Sequence, residues 1–185
     1  RGRGQKRVLL MITTDRSHGR GILAGIADYT AHHAHWLHQL EIVSRPELIA
    51  RSGVDGIIAE AWTPQMLRAV RATKIPTITV GREVDPGGKP SVVVDNVAVG
   101  RMAANHLADL GFKHLGYVPG GATPWSRNRQ EGFVSTADAR RVECHVLDEQ
   151  ITADRDALAR AIARLPEPIG LFAANDQIAL VVSCL

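Results

Sequence analysis

The sequence predicts an α/β protein of two lobes, each a three-layer αβα sandwich around a parallel sheet. Three observations carry this. Short β-rich runs alternate with longer helical patterns over the whole 185 residues, as in consecutive right-handed βαβ units. The clearest run, Val8 to Ile12, is continuously apolar, which suits a strand buried on both faces. Eight strand candidates can be counted, many for one compact sheet and natural for two. Composition agrees, with 45% hydrophobic and 22% charged residues. That balance excludes a disordered tail, a collagen-like repeat and a coiled coil.

Taken in order, Val8 to Ile12 opens the first lobe, and Ile22, Ile26, Tyr29 and His33 follow at helical spacing. A weaker strand lies around Leu37 to Val43 and a clear one at Val54 to Ala59. Thr63-Pro64 then supplies an N-cap followed by proline at the first helical position. Met66, Leu67 and Val70 form that helix's apolar stripe. Pro76 to Val80 and Ser91 to Val94 are strands. Asp95 or Asn96 caps a helix with Val99, Ala103, Leu107 and Leu110 on one face, and Gly111 ends it. The pattern then restarts with a strand at Leu115 to Val118, a helix near Arg127 to Ala137 and a strand at Val142 to Leu147. A helix over Asp154 to Leu165, a strand at Ile169 to Phe172 and a helical start at Gln177 to Leu185 complete it. The expected organisation is a basic extension over 1–6, a first lobe over 7–112 and a partial second lobe over 113–185. Ser183-Cys184-Leu185 halts on an apolar helical pattern without a cap, which predicts a fragment of a longer chain.

Ligands of open α/β sheets bind beyond the carboxyl ends of the strands, so four loops are candidates. Thr13-Thr-Asp-Arg-Ser-His-Gly-Arg20 gathers hydroxyls, a carboxylate, guanidinium groups and His18. Asp95-Asn96 follows the third valine of Val92-Val-Val94; its carboxylate is equally well explained by helix capping. Pro119 to Gln130 carries glycines, the apolar face of Trp125 and the planar forks of Arg127 and Arg129. Ala174-Asn175-Asp176 brings an amide and a carboxylate to a helix start. Asp, Asn and Arg beside one indole have the chemistry of a polyol or sugar site, because each hydroxyl both donates and accepts and a ring's C–H face packs on an aromatic.

Other chemistries lack their residues. Gly87-Gly-Lys-Pro90 has proline where a phosphate loop needs Ser or Thr. No G-x-G-x-x-G follows a strand and no G-x-S-x-G elbow exists, so neither a nicotinamide cofactor nor serine catalysis is expected. His32, His33, His35 and His38 do not converge on a tetrahedral centre from a helix end, and no metal is expected. Cys144 and Cys184 form no paired motif. The net charge is only +3, from 22 basic and 19 acidic residues, without a basic face for nucleic acid. No apolar run reaches the length of a membrane span and no signal peptide is visible, so a cytoplasmic protein is expected.

Several segments match a known pattern. Val92-Val-Val-Asp-Asn-Val-Ala-Val-Gly-Arg-Met-Ala-Ala-Asn-His-Leu-Ala-Asp-Leu-Gly-Phe-Lys-His-Leu-Gly-Tyr117 resembles the inter-lobe segment of the lac-repressor/galactose-repressor ligand-binding fold, which is type I periplasmic-binding-protein-like. Ser126-Arg-Asn-Arg-Gln-Glu-Gly-Phe133 is similar to that family's S-x-R-x-x-G-F element, and Ala173-Ala-Asn-Asp-Gln-Ile-Ala179 to its A-x-N-D-x-x-A element. Gly53 to Ile58 and Ile75 to Val80 fit its first lobe. The likeness runs over about residues 7 to 185. Within the family, Arg16 to Tyr29 and Trp125 to Arg129 most resemble xylose operon regulators, which join this fold to a C-terminal AraC-type helix-turn-helix domain.

The resemblance implies ligand contacts from His18, Arg20, Asp95, Arg129, Asn175 and Asp176; His18 stands where relatives commonly carry a phenol. It implies a sensor of D-xylose or a similar pentose in an inter-lobe cleft, with Asp95 and Arg129 in different lobes and coupled by the bridging sugar. Operator DNA would be bound by a domain outside this chain, and a homodimer is expected. The other readings weighed are a periplasmic sugar-binding protein of a transporter, which needs an export signal, and a sugar-converting enzyme, which needs an acid–base pair in the cleft.

Overall fold

The computed structural model describes residues 5–15, 17–41, 45–60, 63–81 and 86–185. They fall into two compact units, 1–94 and 95–185. In the first, strands β1 (Lys6–Met11), β2 (Trp36–Leu40), β3 (Gly56–Ala59), β4 (Thr77–Val80) and β5 (Ser91–Val92) form a parallel sheet ordered β2-β1-β3-β4-β5. Helices α1 (Ser17–His33), α2 (Glu47–Arg51) and α3 (Pro64–Ala72) connect the strands. In the second, β6 (His114–Val118), β7 (Glu143–Val146) and β8 (Ile169–Ala173) make a parallel sheet ordered β7-β6-β8. Its helices are α4 (Asn96–Asp109), α5 (Pro124–Ala139), α6 (Arg155–Ile162) and α7 (Asp176–Ser183). All eight expected strands are present, and the two parallel α/β units match the predicted class.

Strand pattern sets the first core. Leu9 and Met11 of β1 and Ile57 and Ala59 of β3 bury one sheet face against Ile49 of α2 and Met66 and Val70 of α3. β1 begins before its apolar run because Asp55 pins the start. The Asp55 carboxylate accepts from Arg7 N at 2.8 Å and from Lys6 Nζ at 3.1 Å. The Arg7 N–H first, and Lys6 second, hold its carboxyl below the ordinary carboxylate range. At α3 the cap is as read, Thr63 Oγ1 accepting from Met66 N at 3.1 Å with Pro64 in the first turn. The five-residue α2 has too little periodicity to announce itself. Ile22 and Ile26 of α1 are half-buried, but Tyr29 and His33 are exposed. Tyr29 stacks instead with His33 and with Trp36 of β2, at ring separations of 5.2 and 5.9 Å.

The second unit departs from the expected division. Helix α4, assigned by its sequence position to a first lobe over 7–112, packs on α5 and belongs with 95–185. The cause is two glycines. A Cβ added to Gly100 would lie 1.9 Å from Arg129 O, and one added to Gly132 would lie 2.0 Å from Val97 O. The helices therefore meet backbone to backbone. Asn96, Gly100 and Ala104 form the buried face of α4, whereas the apolar stripe read from the sequence is only half-buried and ends in exposed Leu110. Gly111, at φ 91°, ends the helix as expected. Below the crossing, Tyr117, Phe133 and Phe172 stack at 5.4 to 5.9 Å around Leu115, Ala137 and Ala174. On the other sheet face, Val118 and Leu147 pack on Leu158 of α6.

Alanine at Gly100 or Gly132 should lower the unfolding free energy by about 3 kcal/mol, the upper end of overpacking penalties, in urea denaturation. Gly25 of α1 has open space at its Cβ position, so Gly25→Ala should be neutral or stabilising by about 0.5–1 kcal/mol.

Candidate functional site

Each sheet has a point where its connections reverse direction, and such points are where open α/β sheets bind ligands. In the first unit it lies between β1 and β3. The chain leaving β1 meets the residue leaving β3 there: Glu60 Oε2 accepts from both Thr13 N and Thr13 Oγ1 at 2.6 Å. Glu60 is fully buried, and its Oε1 is buried without a hydrogen bond among the described residues. Gly81, just past β4, borders the same spot, since a Cβ there would lie 3.2 Å from His18 Nε2 and 3.5 Å from Glu60 Oε1. His18 and Arg20 stand in the first turn of α1, both exposed. Arg20 Nη1 donates to Thr14 O at 2.9 Å, folding its guanidinium back over the loop. Gly19 between them is obligatory, because a Cβ would fall 1.8 Å from Thr13 O.

In the second unit the reversal lies between β6 and β8, and Arg129 spans it. Its Nε donates to Asn96 Oδ1 at 2.9 Å, its Nη1 donates to Ala174 O just past β8, and its guanidinium carbon sits 5.2 Å from the centroid of Trp125. One arginine thus ties together α4, α5 and the end of β8. Among the described residues Nη2 makes no hydrogen bond, leaving two N–H groups directed elsewhere. The Trp125 indole lies against the loop after β6, where a Cβ on Gly120 would come within 2.3 Å of its ring. That loop is fixed by Tyr117, whose hydroxyl donates to Ser126 O at 2.7 Å and lies 3.1 Å from Ser126 Oγ, which accepts from Gly120 N at 2.9 Å. Burial pushes the Tyr117 phenol up, so it stays neutral and keeps donating.

Asp95 and Asn175 cap α4 and α7, accepting from Ala98 N at 2.9 Å and Ile178 N at 3.0 Å. In each case a single carboxylate or amide oxygen is used. Asp176 is exposed in the first turn of α7.

The second unit therefore gathers Asp95, Trp125, Arg129, Asn175 and Asp176 on the strand-end side, and the first gathers His18 and Arg20. Two expectations are corrected. Asp95 and Arg129, expected in different lobes, stand in one unit because α4 is seated on α5. Trp125, expected in a loop, lies in the first turn of α5, since Pro124 opens that helix as Pro64 opens α3, though Thr123 makes no side-chain cap bond where Thr63 does. Sequence reading missed Glu60. Its position directly after β3, in the switch-point loop, was the signal available. It also missed a concavity of about 420 Å³ lined by Pro119, Arg127, Gln130, Val146, Leu147 and Glu149. The Cys144 thiol is pushed up by burial, the opposite of an activated nucleophile.

Because Glu60 holds two donors of Thr13, Glu60→Ala should cost about 3 kcal/mol in urea denaturation. Glu60→Gln, whose amide oxygen can accept both bonds, should cost less than half as much.

Comparison with known proteins fits this architecture. Residues 104–185 match the family model described as a periplasmic binding protein-like domain. The chain is 25% identical over 186 aligned residues to a xylose operon regulatory protein of Haemophilus influenzae, covering 92% of this chain and 48% of that protein. It thus spans about half the length of the curated relative it matches. A solved structure of a xylose-binding transcription activator superposes with a TM-score of 0.79 at 19% identity, over 98% of this chain and 51% of the other. A periplasmic binding protein/LacI transcriptional regulator from Alkaliphilus metalliredigens, complexed with D-xylulofuranose, gives 0.71 at 19% identity over 97% and 71%. With its parallel sheets ordered as they are and these likenesses along nearly its whole length, the chain has the LacI-type, type I periplasmic-binding-protein-like fold.

Proposed function

We propose that this chain is the effector-sensing part of a transcription regulator and that its effector is D-xylose or a closely related pentose. The observation that carries the reading is Arg129, held beside Trp125 by Asn96 and Ala174 with its Nη2 making no hydrogen bond among the described residues. A sugar needs that combination: an apolar face for its C–H surface, a fixed planar donor for two neighbouring hydroxyls, and acceptors at Asp95 and Asn175 to receive the hydroxyl protons. The regulators that share the fold, one named for xylose and another solved with D-xylulofuranose, support a sugar of this size. His18, Arg20 and Asp176 are the further contacts in this reading.

Sugar binding favours one arrangement of the regulator through its differential contacts and so changes the affinity of a DNA-binding domain for operator DNA. The regulator acts in the cytoplasm as a homodimer. The similar proteins are regulators or binding proteins, and this reading assigns the chain no catalytic step and no cofactor.

The test is a thermal-shift titration of the intact regulator with D-xylose, L-arabinose, D-ribose, D-glucose and D-galactose. One pentose at a hundred times its dissociation constant should stabilise the protein by about 2.7 kcal/mol, read as a shift of several degrees. Asp95→Asn keeps the helix cap but removes the charge, and it should abolish the shift while leaving the unliganded Tm within a degree or so. Trp125→Ala should weaken binding of every sugar alike. A folded protein that responds to none of the five overturns the assignment.

A further inference from the structure

A second cluster of polar side chains lies at the opposite, amino-terminal ends of the strands. In the register of the second sheet His114 pairs with Glu143, and Gly116 with His145. These side chains therefore share one sheet face, because alternate residues of a strand point the same way. Across that face His114 Nδ1 is 3.0 Å from Glu143 Oε2, and His145 Nε2 is 3.5 Å from Glu143 Oε1. The three ligand atoms all lie within 4.8 Å of one another.

Ion-pair contact with Glu143 is what the described residues offer the two imidazole nitrogens. His114 Nδ1 and His145 Nε2 are themselves buried, and among the described residues neither makes a hydrogen bond. Nor does Cys144, on the opposite face and packed in the aromatic core, take any part. The neighbouring wall is apolar, since the space a side chain at Gly116 would need is filled by Leu171 and Ile169 of β8. Two buried nitrogens converging on one carboxylate, beside apolar side chains, cost free energy as they stand.

The geometry points to a divalent transition-metal site, of which zinc is the best-suited occupant, held by His114 Nδ1, Glu143 and His145 Nε2. Two imidazoles and one carboxylate are a recurrent zinc ligand set, with a water completing the tetrahedron. Ligand bonds of roughly 2.0–2.1 Å imply ligand-to-ligand edges of about 3.3–3.4 Å. The glutamate contacts, 3.0 Å at Oε2 and 3.5 Å at Oε1, are of that order, and a set of ligand atoms within 4.8 Å of one another can close on an ion by small side-chain rotations. A metal there accepts both orphaned nitrogen lone pairs at once, and Glu143 supplies negative charge. It also clips β7, at one end of the described sheet, to the central strand β6. The site is on the far side of the sheet from the strand-end loops, so it does not depend on the sugar assignment.

The test is isothermal titration of metal-stripped, untagged full-length protein with zinc chloride, with cobalt(II) absorption as a second readout. Wild type should take up one equivalent, and cobalt should give the intense visible bands of four-coordinate geometry. His145→Ala and Glu143→Gln should each weaken zinc by at least about a hundredfold, beyond the 10–100-fold typical of outer-sphere partners, while keeping the wild-type circular dichroism spectrum. A variant replacing His32, His33 and His35 together by Gln should bind as wild type does. Zinc uptake that survives His145→Ala but is lost in that triple variant overturns the site, and so does a protein that takes up no zinc at all.

Discussion

Much of the second unit follows from how closely two helices can approach. Gly100 and Gly132 remove the side chains that would hold α4 and α5 at ordinary separation, where axes normally stand some 8–10 Å apart. At this crossing the carbonyls of Val97 and Arg129 occupy the space a methyl group would need. Asn96, one turn before Gly100, is thereby brought against Arg129, one turn before Phe133. Once Arg129 is anchored from α4, its other nitrogen can meet the carbonyl of Ala174. The helix-helix contact and the loop after β8 are coupled through one guanidinium. The Tyr117 hydroxyl, meanwhile, fixes the loop on the other side of the indole through Ser126.

The first unit reaches a similar end by different chemistry. There a buried carboxylate, not a half-buried guanidinium, joins the chain leaving β1 to the residue leaving β3. Bonds of 2.6 Å from one main-chain and one hydroxyl donor to the same carboxylate oxygen fix Thr13. Thr13 in turn sets where α1 starts, because Gly19 is packed on its carbonyl. Both units use one charged side chain at the reversal of the sheet to hold strand-end loops. Fixing such loops suits a site whose chemistry is carried by them.

Much of this could be read in the sequence, and the reasons for the exceptions are physical. Continuous apolar runs such as Leu115 to Val118 and cap signals such as Thr63-Pro64 and Asp95 act within a few residues. The positions of the strands along the chain and the starts of α3 and α4 follow from them. The division at Val94 could not be read this way. It depends on Gly100 meeting Gly132, and a glycine in a helical pattern looks the same whether it faces solvent or a neighbouring backbone. The start of α5 is weakly marked because Thr123 makes no side-chain cap bond, which leaves Pro124 as the local signal that Trp125 is helical. Glu60 sits between two alanines at a strand end, where a glutamate usually faces water; only the partner Thr13, 47 residues away, makes it a buried group. The His114, Glu143 and His145 cluster is assembled by strand register, which no local spacing encodes.

Arg129 has a thermodynamic consequence for any molecule that docks beside it. A free arginine side chain loses about 2 kcal/mol of rotamer freedom when it is immobilised, and a binding surface built from mobile arginines pays that at each encounter. Here the indole, Asn96 and the Ala174 carbonyl have frozen the side chain during folding. The cost has been moved from association to stability. A rigid fork also cannot swing to follow a displaced acceptor, so whatever docks there must bring its acceptors to donors already fixed. The stiffness of the helix pair is passed on in this way to the donors that the side chain presents.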